Sequence, residues 1–231
     1  MRDRVARSRF FLVLALIAIG IILVGFSRTY FLRPWFGFYP LSWLAHAHGI
    51  SMMLFYVLFL TQAFLVQKGN IKMHRRLGLL AAILIPVCLM IGIPNMIAGA
   101  RLGHTPIPAA PFTAISTVLF LQFALLGGLG LAIRHRPEIH KRLMMLTLIS
   151  TLSPAFSRMP FQVFFIGFPF SILFWSNLML LVCWVHDWRK TGRIHPVYLW
   201  GAVFLVMPQL FSVPLGETEF WGRITRWMLG T

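Results

Sequence analysis

Negative charge is the scarcest feature of this sequence: five acidic residues in 231, Asp3, Glu138, Asp187, Glu217 and Glu219, stand against 21 lysines and arginines. All five fall in loops or at the ends of apolar runs, so no carboxylate is expected in the interior. That argues against a cation pump or proton relay built on intramembrane Asp or Glu, and against a carboxylate-bridged metal centre. Cysteine is nearly absent too. Cys88 and Cys183 lie singly inside apolar runs with no CxxC or CxxCH, which excludes a disulfide framework and covalent c-type haem and leaves two small packing residues. There is no glycine-rich phosphate loop after a strand, no GxSxG and no soluble segment to hold a nucleotide, so no catalytic residue is assigned.

Charge as a whole is low. Charged residues make up 11% of the chain, where a soluble domain carries roughly 25%. What replaces them is apolar: 58% hydrophobic, 15% aromatic, with a mean hydropathy of +0.80. A net charge of +16 would suggest nucleic acid in a soluble protein. Here the bases cap apolar runs instead, so membrane lipids are the expected partner and nucleic acid is not.

The apolar runs predict an all-α integral membrane bundle of seven transmembrane helices forming one domain, near 10–26, 41–66, 77–97, 112–133, 141–161, 168–185 and 197–213. Each has about the 20 residues needed to cross roughly 30 Å of hydrocarbon. The first has a basic start but no small-x-small cleavage site after it, and reads as a retained anchor. The fifth is interrupted by Ser153, Pro154, Ser157, Arg158 and Pro160, which predicts a kink or partial unwinding.

Loop charge predicts orientation. The N-terminus (Arg2, Arg4, Arg7, Arg9) and three alternate loops (Lys68, Lys72, Arg75, Arg76; Arg134, Arg136, Lys141, Arg142; Arg189, Lys190, Arg193) hold 15 of the 21 bases. The other side has Arg28, Arg33, Arg101, Arg223 and Arg226, and Arg158 falls within a helix. Positive charge stays inside, so the N-terminus is expected in the cytoplasm and the C-terminus outside a bacterial inner membrane. The tail, 217–231, spaces Trp221, Ile224, Trp227 and Met228 along one helical face, as an interfacial helix does.

Histidine, amide and one arginine carry what chemistry remains. His48, Ser51, Phe55 and Gln62 share a face of the second helix, which should point inward because lipid would leave the imidazole and amide unsatisfied. His46 lies on another face. Along the fifth helix His140, Thr147, Thr151, Pro154 and Arg158 form a stripe with Gln162 close by, placing Arg158 near the depth of His48 and Asn95. A guanidinium far from any carboxylate points to an anionic or oxygen-bearing ligand such as a haem propionate, a quinone oxygen or a lipid phosphate. The plainer reading has Arg158 snorkel outward and satisfy carbonyls freed by Pro154 and Pro160. The expected external cofactor site is therefore His48, Gln62, Asn95 and Arg158, with His48 and His46 as candidate metal ligands; the plainer reading of His48 is a hydrogen-bonded bundle histidine.

A second pattern lies towards the cytoplasm. Gln62, Gln122 and Asn177 sit inside alternate helices, and His74, His140 and His195 each open the helix that follows, hinting at a repeated hairpin. Clustered, those histidines, chiefly His74 and His140, would form a second site for metal or haem. Unclustered, they are topology anchors facing headgroups.

The segments His46-Ala47-His48-Gly49, Leu60-Thr61-Gln62, Leu65-Val66, Gly69, His74-Arg75-Arg76-Leu77-Gly78 and His140-Lys141-Arg142-Leu143-Met144 resemble a broad group of uncharacterised bacterial polytopic membrane proteins, over about residues 41–160. More loosely the chain is similar to small histidine-bearing membrane proteins of haem-copper oxidase assembly. It departs from cytochrome b561, because no helix carries histidines at both membrane depths. The expected function is a non-hydrolytic role in respiratory or haem-linked metabolism, holding haem b, copper or quinone near the external face. A cofactor-free scaffold, as an accessory subunit among other membrane-complex subunits, and a small-molecule transporter are the competing readings.

Overall fold

The computed structural model describes residues 9–38, 40–105, 107–161 and 170–231. Among these residues the structure is helical throughout, with no strand. Among the described residues nine α-helices follow one another: α1 (Phe10–Gly25), α2 (Trp43–Lys68), α3 (Ile71–Arg101), α4 (Ala109–Ala132), α5 (Pro137–Ser150), α6 (Ser153–Phe156), α7 (Phe170–Thr191), α8 (Pro196–Glu217) and α9 (Glu219–Leu229). Four of them, α2, α3, α4 and α8, are long and apolar enough to cross a membrane. The 24 residues of α4 alone reach about 36 Å.

Local chemistry sets the breaks. Ser42 caps α2 by accepting from the Ala45 N–H at 3.2 Å. α2 ends on Gly69, whose φ of 77° is the left-handed conformation only glycine adopts freely, and Asn70 at once caps α3 by accepting from Met73 N–H at 3.1 Å. A two-residue connection results, so α2 and α3 are antiparallel neighbours. Successive long helices alternate in this way, and their ends gather in two groups. At one end Lys141 lies over the Phe11 ring, Phe10 stacks on His186, His74 faces His140, and Arg142 meets Asp187. At the other, Tyr30 meets His46, Arg158 lies over Phe26, and Thr113 meets Thr225.

The centre of the bundle is α5. Its Leu143, Met145, Leu146, Leu148 and Ile149 are buried along with Arg142, Thr147 and Ser150, so beyond its exposed first turn the helix is enclosed on nearly every side. α1 docks by the stripe Leu14, Ala18, Ile22 and Gly25. Gly25 meets α6 so closely that a Cβ there would lie 2.3 Å from the Ala155 carbonyl oxygen.

The expected fifth helix, 141–161, is two pieces. α5 stops at Ser150 and Pro154 opens α6 within its first turn, where the missing N–H costs nothing. The Thr151 carbonyl, left outside the ladder, accepts from the Tyr56 hydroxyl at 3.2 Å, and the same hydroxyl donates to Thr151 Oγ1 at 2.7 Å. The stripe from His140 to Arg158 is therefore not one α-helical face, because at residues 151–152 the backbone switches to i−3 bonds, Thr151 to Leu148 and Leu152 to Ile149. α3 is longer than the expected 77–97 at both ends and holds Pro86 and Pro94 within it. The expected sixth helix begins at residue 168, and its first two residues lie outside those described, as does Gln162.

Large apolar side chains remain on the outside of α3, with Leu79, Ile83 and Met90 each more than half exposed. A surface of that kind needs lipid against it. Tryptophans mark both ends of the helices: Trp43 at the start of α2 and Trp227 on α9, Trp188 near the end of α7 and Trp200 near the start of α8 are all largely exposed.

Candidate functional site

His48 and Arg158 come within electrostatic reach of each other at the end of the bundle that holds Tyr30 and Phe26. His48 is brought to α3 by a glycine: the space beside Gly92 is taken by Phe120 Cε1 and His48 Cε1, which would lie 2.8 and 3.1 Å from a Cβ at that position. Phe120 meets the imidazole edge-on at 6.4 Å between ring centres. The Nδ1 of His48 is buried and has no hydrogen-bond partner among the described residues, an expensive condition in a hydrocarbon setting. Ser51, one turn along, spends its hydroxyl on the His48 carbonyl at 2.9 Å and leaves the ring free.

Among the described residues Arg158 is half-satisfied. One nitrogen, Nη1, donates to the Pro154 carbonyl at 2.8 Å and to Ser157 Oγ at 3.0 Å, and the guanidinium lies 5.1 Å from the Phe26 ring centre. Among the described residues no carboxylate pairs with it. The Pro154 contact is the one expected of an arginine serving a proline-broken helix. It uses one edge of the guanidinium and leaves the rest of the fork. Asn95 stands on α3 one turn beyond Gly92 with a partly exposed side chain.

The remaining candidates fall elsewhere. His46 is exposed and its Nδ1 pairs with the Tyr30 hydroxyl at 3.2 Å, on a different face from His48. Gln62, expected on the His48 face, lies about 21 Å farther along α2. It belongs to the opposite end, where its amide donates to the His74 ring Nδ1 and to the His74 carbonyl at 3.0 Å and accepts from the Gly78 N–H at 3.1 Å. His74 and His140 do approach, with ring centres 6.3 Å apart, and His140 Nδ1 bonds the Gly130 carbonyl at 2.7 Å. His195 instead caps α8 and gives its backbone N–H to Asp187 at 3.3 Å. Among the described residues no three or more of His, Cys, Asp and Glu gather as a metal-binding group. The glutamine-to-histidine repeat also has no common geometry, since Gln122 pairs with α8 rather than with His140.

One expectation is overturned. Asp187 is buried, at 3% exposure, and Arg142 with it at 4%. Arg142 donates from Nε and Nη2 to the two Asp187 oxygens at 2.9 Å each, and from Nη1 to the Glu138 carbonyl at 2.7 Å and carboxylate at 2.8 Å. Asp187 ends a turn short of solvent because Arg142 on the buried α5 draws it in, and a bidentate fork with backbone support makes burial of both charges tolerable. Exposed Glu138 is held down to about 2 chiefly by the hydrogen bond from Lys141, with a further hydrogen bond from Arg142 and against the opposing effect of burial, and so stays ionised beside the pair. Sequence reading missed this clamp because Asp187 is followed by Trp188, Arg189 and Lys190, as a solvated helix end would be. The scarcity of acids was the available signal: with 21 bases to five acids, an acid at the end of an apolar run is a scarce partner.

A second missed group is a chain of amides in the core. Pro208 cannot donate to the Phe204 carbonyl, and Gln122 of α4 does so instead at 2.8 Å, reaching the Leu205 carbonyl at 2.8 Å as well. Gln209 donates to Gln122 Oε1 at 3.0 Å, and Asn177 donates to Gln209 Oε1 at 2.7 Å and to the Leu173 carbonyl at 2.7 Å.

Comparison with known proteins gives no match to any protein family, curated protein or solved structure. The class is defined by the fold itself: a helical membrane protein with at least four helices built to cross a bilayer. Within it the clamp at Arg142 and Asp187 is closed and self-satisfied, whereas His48 and Arg158 have hydrogen-bonding capacity that no described residue uses.

Proposed function

We propose that this is a seven-pass protein of a bacterial cytoplasmic membrane, N-terminus inside and C-terminus outside, that holds the oxygen-bearing head of a quinone-type ligand between His48 and Arg158 in respiratory or haem-linked metabolism. The observation that carries the reading is that, among the described residues, the buried Nδ1 of His48 has no partner and the Arg158 guanidinium within electrostatic reach of it has no carboxylate. A ring nitrogen and a guanidinium edge together suit a carbonyl or anionic oxygen. Copper fits less well: His46 and His48 diverge, His46 is engaged by Tyr30, and no third ligand from His, Cys, Asp or Glu is grouped with them among the described residues. A haem face fits less well too, since Phe120 and the α3 backbone at Gly92 already close on His48.

Hexane extraction of the detergent-purified protein, followed by chromatography, tests the ligand. The parent is expected to yield near-stoichiometric quinone and no Soret band, and Arg158→Gln about tenfold less while accumulating normally, because a charged hydrogen bond is worth about 1.5–3 kcal/mol. His48→Ala should lose quinone and His46→Ala should keep it. A Soret band in the parent, or equal quinone in Arg158→Gln, would overturn the assignment.

The scaffold reading has its own support, in a clamp and an amide chain whose members mostly satisfy one another. Full complementation of a deletion by Arg158→Gln would favour it. Orientation has a separate test. A periplasm-dependent reporter fused after Thr231 should be active and one inserted at Gly69 silent; the reverse would invert every face assigned above. The two exposed tryptophan sets and the bases of the Lys141 end support the expected outcome.

A further inference from the structure

The amide chain has a direction, and the direction determines what it can bind. Backbone carbonyls only accept, so Gln122, facing those of Phe204 and Leu205, must present its NH2 group and turn its oxygen to Gln209. Gln209 must then donate to that oxygen and offer its own to Asn177. Asn177 spends both N–H groups, on Gln209 Oε1 and on the Leu173 carbonyl, and is left with its oxygen. Among the described residues that oxygen, Oδ1, is buried and has no partner. Asn177 and Gln209 sit in the wall of a lipid-side groove of about 410 Å³ between α7 and α8, whose other walls include Leu173, Leu178, Leu181 and Leu210.

We propose that this groove binds a membrane-dissolved long-chain alcohol, whose hydroxyl donates to Asn177 Oδ1 and whose apolar body lies along the leucines. The site needs a donor, so a ketone, an ether or an ester will not serve. It also lies deep: Gln209 is eight residues before Glu217, roughly 12 Å along α8, below the reach of phospholipid head groups. A helix of a second protein is a poorer match, because helical Ser and Thr hydroxyls commonly give their proton to their own i−4 carbonyl. The site is separate from His48 and Arg158, and neither assignment depends on the other.

Photolabelling of the full protein in lipid nanodiscs with a diazirine-bearing C15 isoprenoid alcohol, and with its methyl ether, provides the test. Peptides of α7 and α8 from the parent should carry about tenfold more alcohol label than ether label, the worth of one hydrogen bond in an apolar site. Asn177→Leu should bring the two probes level. Leu181→Trp, which fills the groove without touching the amide chain, should cut alcohol labelling about tenfold at unchanged elution in size exclusion. Equal labelling of the parent by both probes, or undiminished labelling of Leu181→Trp, would overturn the proposal. So would a dimeric parent that Leu181→Trp converts to a monomer, which would assign the groove to a second copy of the chain.

Discussion

Asp187→Ala is expected to destabilise the protein by about 3–5 kcal/mol, because it strands the Arg142 guanidinium in the interior without its bidentate partner. Denaturation in mixed micelles, followed by tryptophan fluorescence, would measure the loss. The double variant Arg142→Met, Asp187→Leu should recover most of it, since the cost lies in the unpaired charge and not in the absence of the pair. Arg142→Met alone should resemble Asp187→Ala. If Asp187→Ala matches the parent within about 0.5 kcal/mol, the pair is solvated and the α5–α7 clamp is no clamp.

Gly25→Ala should be the next most damaging single change. A Cβ at Gly25 would lie 2.3, 2.8 and 2.9 Å from the carbonyl oxygen, carbonyl carbon and Cα of Ala155, all backbone atoms that no rotamer change can move. Overpacking of this kind costs about 1–3 kcal/mol or more. It must also push α6 away from α1, and with α6 the loop that carries Arg158 over Phe26. Thermal midpoints and quinone content should therefore fall together. Gly20→Ala on the same helix is the control: nothing lies within 4 Å of a Cβ there, and the helix gains about 0.5–1 kcal/mol from replacing glycine. Equal behaviour of the two variants would remove the close α1–α6 contact.

Much of the helix placement was legible because its causes are local. The prolines near residue 154 and the apolar runs each act within a few residues of where they stand, while the Gly69-Asn70 turn, which starts α3 at Ile71 and not at 77, went unread. The amphipathic spacing of 217–231 is likewise local, and α9 forms there, with its Thr225 hydroxyl 2.9 Å from that of Thr113. What went unread are partnerships across the fold. Arg142 looks like one more base in a cytoplasmic loop and Asp187 like one more helix end; 45 residues apart, neither carries a mark of the other. Gln122 looks like a counterpart of Gln62, yet one braces a proline break in α8 and the other holds the start of α3. Spacing alone cannot separate those roles, because it says which face a residue occupies and not what that face meets.

The sequence by itself determined the solvent and the helical class. Too few charges and too many apolar residues leave no water-exposed fold for these segments, and hydrocarbon forces their backbones into helices. The tertiary structure alone decided which polar groups are spent and which are left over among the described residues: Arg142 closed on Asp187, the amides aligned towards Asn177, and His48 Nδ1 buried without a partner. The physical reason is range. Hydropathy and helix breaking sum over neighbours in the chain, whereas the satisfaction of a buried polar group depends on whichever distant residue packing delivers to it.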